Sequence, residues 1–598
     1  MYEPAPPRPK KTEIVRSRSG CKCCRERRTK CDEQKPRCGT CVRLGTTCQP
    51  VRQKFQFRIT TGPSNSPPTS QQGRWGQDTG SKKTGEPRSS HSHPSLSMLG
   101  PCSRDIIPIP SLQLIQNLQY TERDVFYSTY WEEHCLPALN PVFRSISHLI
   151  GSSSALKNTV LALSACNLSR MNAEQKSSAT ISVMGTHTPN LTHLTNSQRY
   201  YCAAVRRFVQ LSQQECRYNA ATYLAMLILF AYIESAMGNF RGFYCHVQGL
   251  SAFLETVYCK ETTSASVKSL LTAWMQPQFL VWWARAYFSS VDVQQQQSDV
   301  KIPRVLEGSC ETFHERRIAV LSILCESHRL NFQAILKHWT QTTSHNALIS
   351  ESTYPAFEDD LDQYCMLLEK EAEKLEEWLS HLPPSERPSE DDSSSEISHS
   401  SLSSRPLRFE SHDAALNYAY YILARIMQCT RLLRLIGTRD PRYIGSECYE
   451  EAPWVRLFVK IMNGINMKTC LRQNAYTIGF SGLVMAVLLR CQDLATGLCI
   501  QSWLQSLKDI QPTEEGSFPV YQALAVTQAI NQQRMMERDI FAVSQPVDDT
   551  GSPKFSAYNS QVIDTLLVHG KSRSSGDLFT DCIRLYDAGH VNSGKDWR

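Results

Sequence analysis

Residues 20–50 read GCKCCRERRTKCDEQKPRCGTCVRLGTTCQP, and the cysteine spacing in this stretch decides how the N-terminal part of the chain folds. Cys21-x2-Cys24-x6-Cys31 is followed, after six residues, by Cys38-x2-Cys41-x6-Cys48, an internal repeat with an offset of 17 residues. Thiolates are the preferred structural ligands of zinc, and each tetrahedral zinc takes four. Two zincs need eight ligand positions, whereas the repeat supplies six sulfurs, so the count closes when two sulfurs serve both metals. A single site on Cys21, Cys24, Cys38 and Cys41 leaves Cys31 and Cys48 unexplained at equivalent repeat positions. Two separate sites need eight ligands, and no histidine lies between residues 1 and 90. Disulfides fit neither the regular spacing nor the charged, Pro-rich residues 1–20, which lack the apolar core of a secretory signal. The pattern predicts one compact cluster of two Zn²⁺ held by Cys21, Cys24, Cys31, Cys38, Cys41 and Cys48. Cys23 is a seventh thiol, predicted to point away from the metals.

Charge is distributed as unevenly as cysteine. Residues 1–60 carry a net charge of +11, while the rest of the 598-residue chain nets −4. Within the repeat, the first loop holds Lys22, Arg25, Arg27, Arg28 and Lys30 against Glu26 alone, whereas Val42–Thr47 holds only Arg43. Two Zn²⁺ and six thiolates sum to a small negative charge, so part of this set balances the cluster. The remainder points to a polyanionic partner. A CxxC knuckle that starts a short helix offers backbone amides to phosphate, and Arg and Lys suit the guanine edge in the major groove. Lys22, Arg25, Arg27, Arg28 and Lys30 are therefore the candidate DNA-binding residues.

Outward from the cluster, composition divides the chain. Residues 1–19 form a basic, Pro-rich, disordered arm, and the cluster occupies 20–50. Residues 51–104 read as a linker that opens with the basic VRQKFQFRI and turns Ser-, Gly-, Pro- and Gln-rich, too poor in aliphatics to order itself. Residues 105–543 read as a large all-α body. Helical patterns recur at 153–170, 197–213, 217–238, 240–257, 264–290 with a break at Pro277, 313–340, 357–381, 411–436, 453–471, 477–497 and 518–541. Thr121-Glu-Arg-Asp124 has the form of a capping box ahead of a run to Cys135. Leu361, Leu368, Leu375, Trp378, Leu379 and Leu382 share one face at helical spacing. An acidic, Ser-rich stretch at 383–406 reads as a disordered insertion, and 544–598 as a C-terminal helical tail. The apolar stretches Ala221–Ile233 and Ile478–Leu489 fall short of the roughly 18 residues needed to span a bilayer and read as core helices, so no membrane partner is expected.

CKCCRERRTKCDEQKPRCGTCVRLGTTCQP resembles the fungal Zn2Cys6 binuclear-cluster transcription factors, with every cysteine spacing inside that family's range. The resemblance implies that Cys21 and Cys38 are the bridging thiolates. It also implies that the loop between Cys24 and Cys31 enters the major groove of double-stranded DNA and reads CGG-type triplets through Arg27 and Arg28. The family usually has Lys where Arg28 stands. Pro36 matches the proline that turns one half toward the other. TERDVFYSTYWEEHCLPALNPVF and RYYCAAVRRFVQ…AMGNFRGFYCHVQG resemble, more loosely, the family's fungal-specific regulatory domain. The implied protein is a nuclear, sequence-specific regulator of RNA polymerase II genes, acting with the transcription machinery. The family often dimerises through a coiled coil after its linker. No heptads occur between 60 and 120, where Leu112, Leu114, Ile115 and Leu118 form too short a run beside Pro108 and Pro110. Either a homodimer forms through the α body or a monomer binds a single triplet.

Lys10-Lys11 with Arg25–Lys30 has the form of a bipartite nuclear import signal. Cys245 and His246 read as a core pair, and Trp282, Trp283 and Tyr287 as core aromatics or the wall of a small-inducer site. No HExxH, GxSxG, GxxxxGK[ST] or GxGxxG occurs, so an enzyme is not expected. The rival reading is a zinc-headed co-regulator that binds proteins without touching DNA.

Overall fold

The computed structural model describes residues 21–48 in part, 112–175, 187–250 in part, 265–345 except 304–305, 354–389, 406–437, 452–510, 514–546 except 517, and 563–585 except 564. The chain divides into two units, Met1–Asp105 and Ile106–Arg598. The arm 1–19, the linker 51–104 and the bulk of the acidic insertion lie outside the described residues.

In the first unit, the described regular element is the short helix α1 (Gly39–Arg43). Five of the six repeat cysteines are buried and Cys48 is half-buried, so sulfur takes the place of an aliphatic core.

The second unit is mostly helical. Its main helices are α2 (Leu112–Tyr130), α3 (Ser154–Met171), α4 (Leu191–Val209), α5 (Ala220–Ala236), α6 (Ala265–Phe288), α7 (Phe313–His345), α8 (Tyr354–Ser380), α9 (His412–Gln428), α10 (Ala452–Gly464), α11 (Phe480–Arg490), α12 (Leu494–Asp509) and α13 (Val520–Met535). The two apolar stretches form α5 and α11. Every residue of α11 is buried, as is nearly all of α5, as expected of helices that are apolar all round. No helix of the described residues is long and apolar enough to cross a membrane. The predicted α8 face is buried at Leu361, Leu368, Leu375 and Trp378, with Leu382 buried just beyond the helix end.

A buried helix needs partners for its terminal amides and carbonyls. At the start of α11 the Glu515 carboxylate accepts from the Phe480 and Ser481 amides (2.8 and 2.6 Å) and from Asn474 Nδ2 (2.6 Å). Glu515 is placed by a tight hairpin of β1 (Glu514–Glu515) and β2 (Phe518–Pro519). At the far end the Arg534 guanidinium donates to the Cys491 carbonyl (2.6 Å) and to Leu488. An anion at the N-terminus and a cation at the C-terminus also complement the helix dipole.

Several expectations are corrected. Pro277 lies within α6 without ending it, because the flanking Trp274, Met275, Phe279 and Leu280 are buried and their packing outweighs the missing hydrogen bond. Thr121 sits inside α2, since the backbone is already helical from Leu112. The pattern at 477–497 splits at Cys491–Asp493. There the Asp493 carboxylate caps the start of α12, a helix the periodicity did not reveal. The stretch 383–389, expected to be part of a disordered insertion, is folded: Glu386 is buried against Arg316, and the Ser389 amide bonds the Arg408 carbonyl at 3.0 Å. The tail 544–598 is not helical where it is described. Strands β3 (Arg538–Ser544), β4 (Thr565–Ser572) and β5 (Leu578–Arg584) form an antiparallel sheet in that order. A hairpin at Ser572–Asp577 joins the last two, with Gly576 at φ +73°, a conformation glycine adopts without strain. β-Branched residues and the half-exposed alternation of β5 favour strand there.

Candidate metal centre

The 17-residue repeat recurs in the backbone. Thr29 N donates to Cys24 O and Thr46 N to Cys41 O, both at 3.0 Å; Arg27 N donates to Cys23 O at 3.1 Å and Leu44 N to Thr40 O at 3.2 Å. Each pair of bonds is related by the same offset, so both knuckles make the same turn. Cys23 therefore occupies the position of Thr40, which explains why a thiol beside Cys24 is not a ligand. Its Sγ donates instead to the Thr47 carbonyl at 2.9 Å and ties the first half to the second.

The knuckles converge their thiols. Cys21, Cys24, Cys31 and Cys38 form one set with all sulfurs within 4.8 Å of one another; Cys21, Cys38, Cys41 and Cys48 form another. The sets share Cys21 and Cys38, the two residues the resemblance names as bridges. The Sγ separations Cys21–Cys38 (3.7 Å), Cys24–Cys38 (3.7 Å) and Cys21–Cys41 (3.6 Å) are decisive for the fit. A tetrahedron with Zn–S bonds of about 2.3 Å has edges of about 3.8 Å. Burial, then the neighbouring Cys21 and Cys38 thiols, pushes the Cys24 thiol up to about 12, and burial pushes Cys41 up to about 11, whereas the Cys24 backbone amide lowers Cys21 to about 6. Close thiols of this kind need cationic charge to hold their ionised form. The six cysteines are able to bind a binuclear zinc cluster.

Polar contacts fix the ligands. The Asp32 carboxylate accepts from the Gly39 amide (2.9 and 3.0 Å) and anchors the start of α1. The Cys41 amide donates to Cys38 Sγ (3.4 Å), and the Cys38 amide to Cys48 Sγ (3.5 Å). Such N–H···S bonds stabilise thiolate charge. Arg37 bonds the Thr46 carbonyl at 3.0 Å across the two halves. Sequence reasoning passed over Asp32 and Arg37; a carboxylate next to a ligand cysteine and an arginine just before Cys38 were the available signals.

Of the candidate DNA contacts, Arg27 is described and exposed. Lys22, Arg25, Arg28 and Lys30 lie outside the described residues, as does Pro36. In the second unit Cys245 is exposed and does not pair with His246. His246 Nε2 instead lies 2.7 Å from the Tyr201 hydroxyl, which bonds Glu234. Trp282, Trp283 and Tyr287 are buried, with Trp283 Nε1 donating to the Gly482 carbonyl of α11 at 3.1 Å.

Comparison with known proteins agrees with this geometry. Residues 19–57 match the fungal Zn(2)-Cys(6) binuclear cluster domain. The chain thus carries a zinc- and DNA-binding domain of the kind used in transcription regulation. It is 32% identical over 94 residues to sterol uptake control protein 2 of Candida albicans, a match covering 15% of this chain and 13% of that protein. No solved structure matches.

Proposed function

We propose that the protein is a nuclear, zinc-dependent transcription factor that reads CGG-like triplets in double-stranded DNA and regulates RNA polymerase II genes of one pathway. The observation that carries this reading is the pair of four-thiol sets sharing Cys21 and Cys38 within the residues matched to the binuclear-cluster domain. In this reading Cys21 and Cys38 bridge two Zn²⁺, Cys24 and Cys31 complete one site, and Cys41 and Cys48 the other. Lys22, Arg25, Arg27, Arg28 and Lys30 face the DNA. The net +11 of residues 1–60 supports a DNA partner, because phosphate contacts supply sequence-independent affinity. A regulatory role for the helical unit, pairing of two copies through it, and contact with the transcription machinery belong to the same proposal. The partial likeness to a control protein supports regulation and does not extend to sterols.

The test is fluorescence anisotropy of the full-length protein on duplexes with and without CGG, with and without a zinc chelator. Chelator-sensitive and salt-sensitive binding that prefers CGG supports the reading. Salt-sensitive binding to neither duplex favours the co-regulator that binds proteins alone.

A further inference from the structure

The two halves of the cysteine repeat hold their last ligand differently. In the first half Cys31 is buried, and the next residue, Asp32, is anchored through the Gly39 amide. In the second half Cys48 is half-buried. It follows a turn at Gly45, whose φ of +61° is left-handed, and the chain reaches it through Thr46 and Thr47, outside any helix or strand. The Thr46 amide bonds the Cys41 carbonyl at 3.0 Å, within the same half.

The two carbonyls of this dipeptide find donors elsewhere. Arg37, from the connector, donates Nη2 to Thr46 O at 3.0 Å. Cys23, from the first knuckle, donates Sγ to Thr47 O at 2.9 Å. A peptide unit is planar, so a bond to the Thr47 oxygen also orients the amide nitrogen and Cα of Cys48. Two clasps on consecutive carbonyls therefore aim the Cys48 thiol, which in turn accepts from the Cys38 amide at 3.5 Å. Cys48 belongs to one four-thiol set, with Cys21, Cys38 and Cys41. Cys24 and Cys31 serve the other set alone, and neither set includes Cys23. A displaced Cys48 thus disturbs one zinc site and spares the other.

We propose that Cys23 and Arg37 are positioning residues for the zinc that Cys48 holds. The seventh thiol acts as a hydrogen-bond donor toward the second half, and Arg37 shares that task. Together they set the affinity of one zinc site and leave its neighbour unchanged, as groups that orient metal ligands do. The proposal rests on the two-zinc reading of the cluster and not on DNA binding.

The experiment loads the full-length protein with zinc and counts bound metal by native mass spectrometry across a chelator series. Cys23→Ala and Arg37→Met each remove one donor. Each is expected to release one zinc at a chelator concentration about three- to tenfold lower, and to keep the second at the wild-type concentration. Cys23→Ser and Arg37→Lys retain a donor and restore most of the loss. At the one-zinc stage N-ethylmaleimide labels Cys41 and Cys48 and leaves Cys24 and Cys31 protected, read by peptide mapping. Early loss of both zincs together, wild-type retention in both donor-less variants, labelling of Cys24 and Cys31 first, or no rescue by serine and lysine overturns the proposal. A wild-type protein that binds fewer than two zincs overturns the cluster reading as well, so the wild-type count and the variant pattern separate the two failures.

Discussion

Replacing Cys21 and replacing Cys48 with alanine should do different things to zinc, although both remove one thiol. Cys21 belongs to both four-thiol sets and Cys48 to one. With Cys48→Ala, the set Cys21, Cys24, Cys31 and Cys38 keeps four sulfurs and the other keeps three. With Cys21→Ala, each set keeps three. A structural zinc site in a small peptide is worth about 10–16 kcal/mol over its four ligands, so one thiolate carries about 2.5–4 kcal/mol, or about two to three decades of zinc affinity. Cys48→Ala should hold one zinc near wild-type strength and release the other at a chelator concentration lower by those decades. Cys21→Ala should release both early and together. Native mass spectrometry of the full-length protein across a chelator series counts the bound metal directly. If the two variants shed zinc in the same pattern, the shared-sulfur reasoning is wrong, whatever happens to DNA binding.

Arg27→Ala should weaken binding to a CGG duplex by about 1–3 kcal/mol and flatten base preference, whereas Arg43→Ala, on the charge-poor half, should leave preference intact; competition anisotropy separates these outcomes. Glu515→Ala leaves the Phe480 and Ser481 amides buried without a partner and should cost about 3–5 kcal/mol, read as lost hydrogen-exchange protection along α11. Gly479→Ala should also destabilise, because a Cβ there would come within 2.1 Å of the Glu515 carboxylate. His314, His338 and His569 are held down to about 4 by burial, from an ordinary value of 6.5. The unfolded chain therefore binds protons first between these values, and stability should fall as pH drops from about 6.5 towards 4, measurable as denaturation midpoints against pH.

The cysteine head was legible because metal ligands obey an arithmetic that needs no tertiary context: six sulfurs at a fixed repeat leave one economical solution. The core helices α5 and α11 were legible because a run apolar on every face has nowhere to go but the interior. What escaped was set by partners distant in sequence. Glu386 sits in a stretch whose composition reads as solvated, yet Arg316, 70 residues away, draws it into the interior. Pro277 carries a helix-breaking signal that local packing overrides. The strands at 565–584 follow a long series of helical patterns, and only a hairpin with Gly576 and the alternation of Leu578–Arg584 distinguishes them from one more. The capping roles of Glu515 and Arg534 were invisible because neither lies in the helix it caps.

A folded stretch of some thirty residues cannot bury enough apolar surface to hold itself, so the cluster must do by coordination what the helical unit does by packing. This division explains the asymmetry of the repeat. Both halves make the same turn, with the same amide-to-carbonyl bonds, because both must present thiols at tetrahedral spacing. Nothing in that task fixes the side chains that point outward. In the first half the described Arg27 is exposed, and in the second Val42 and Leu44 are more than half exposed beside Arg43. Metal geometry thus constrains the two halves equally and leaves their surfaces free to differ. A DNA-reading role is proposed for the first half on charge, and the second half is needed because each four-thiol set takes at least one cysteine from it.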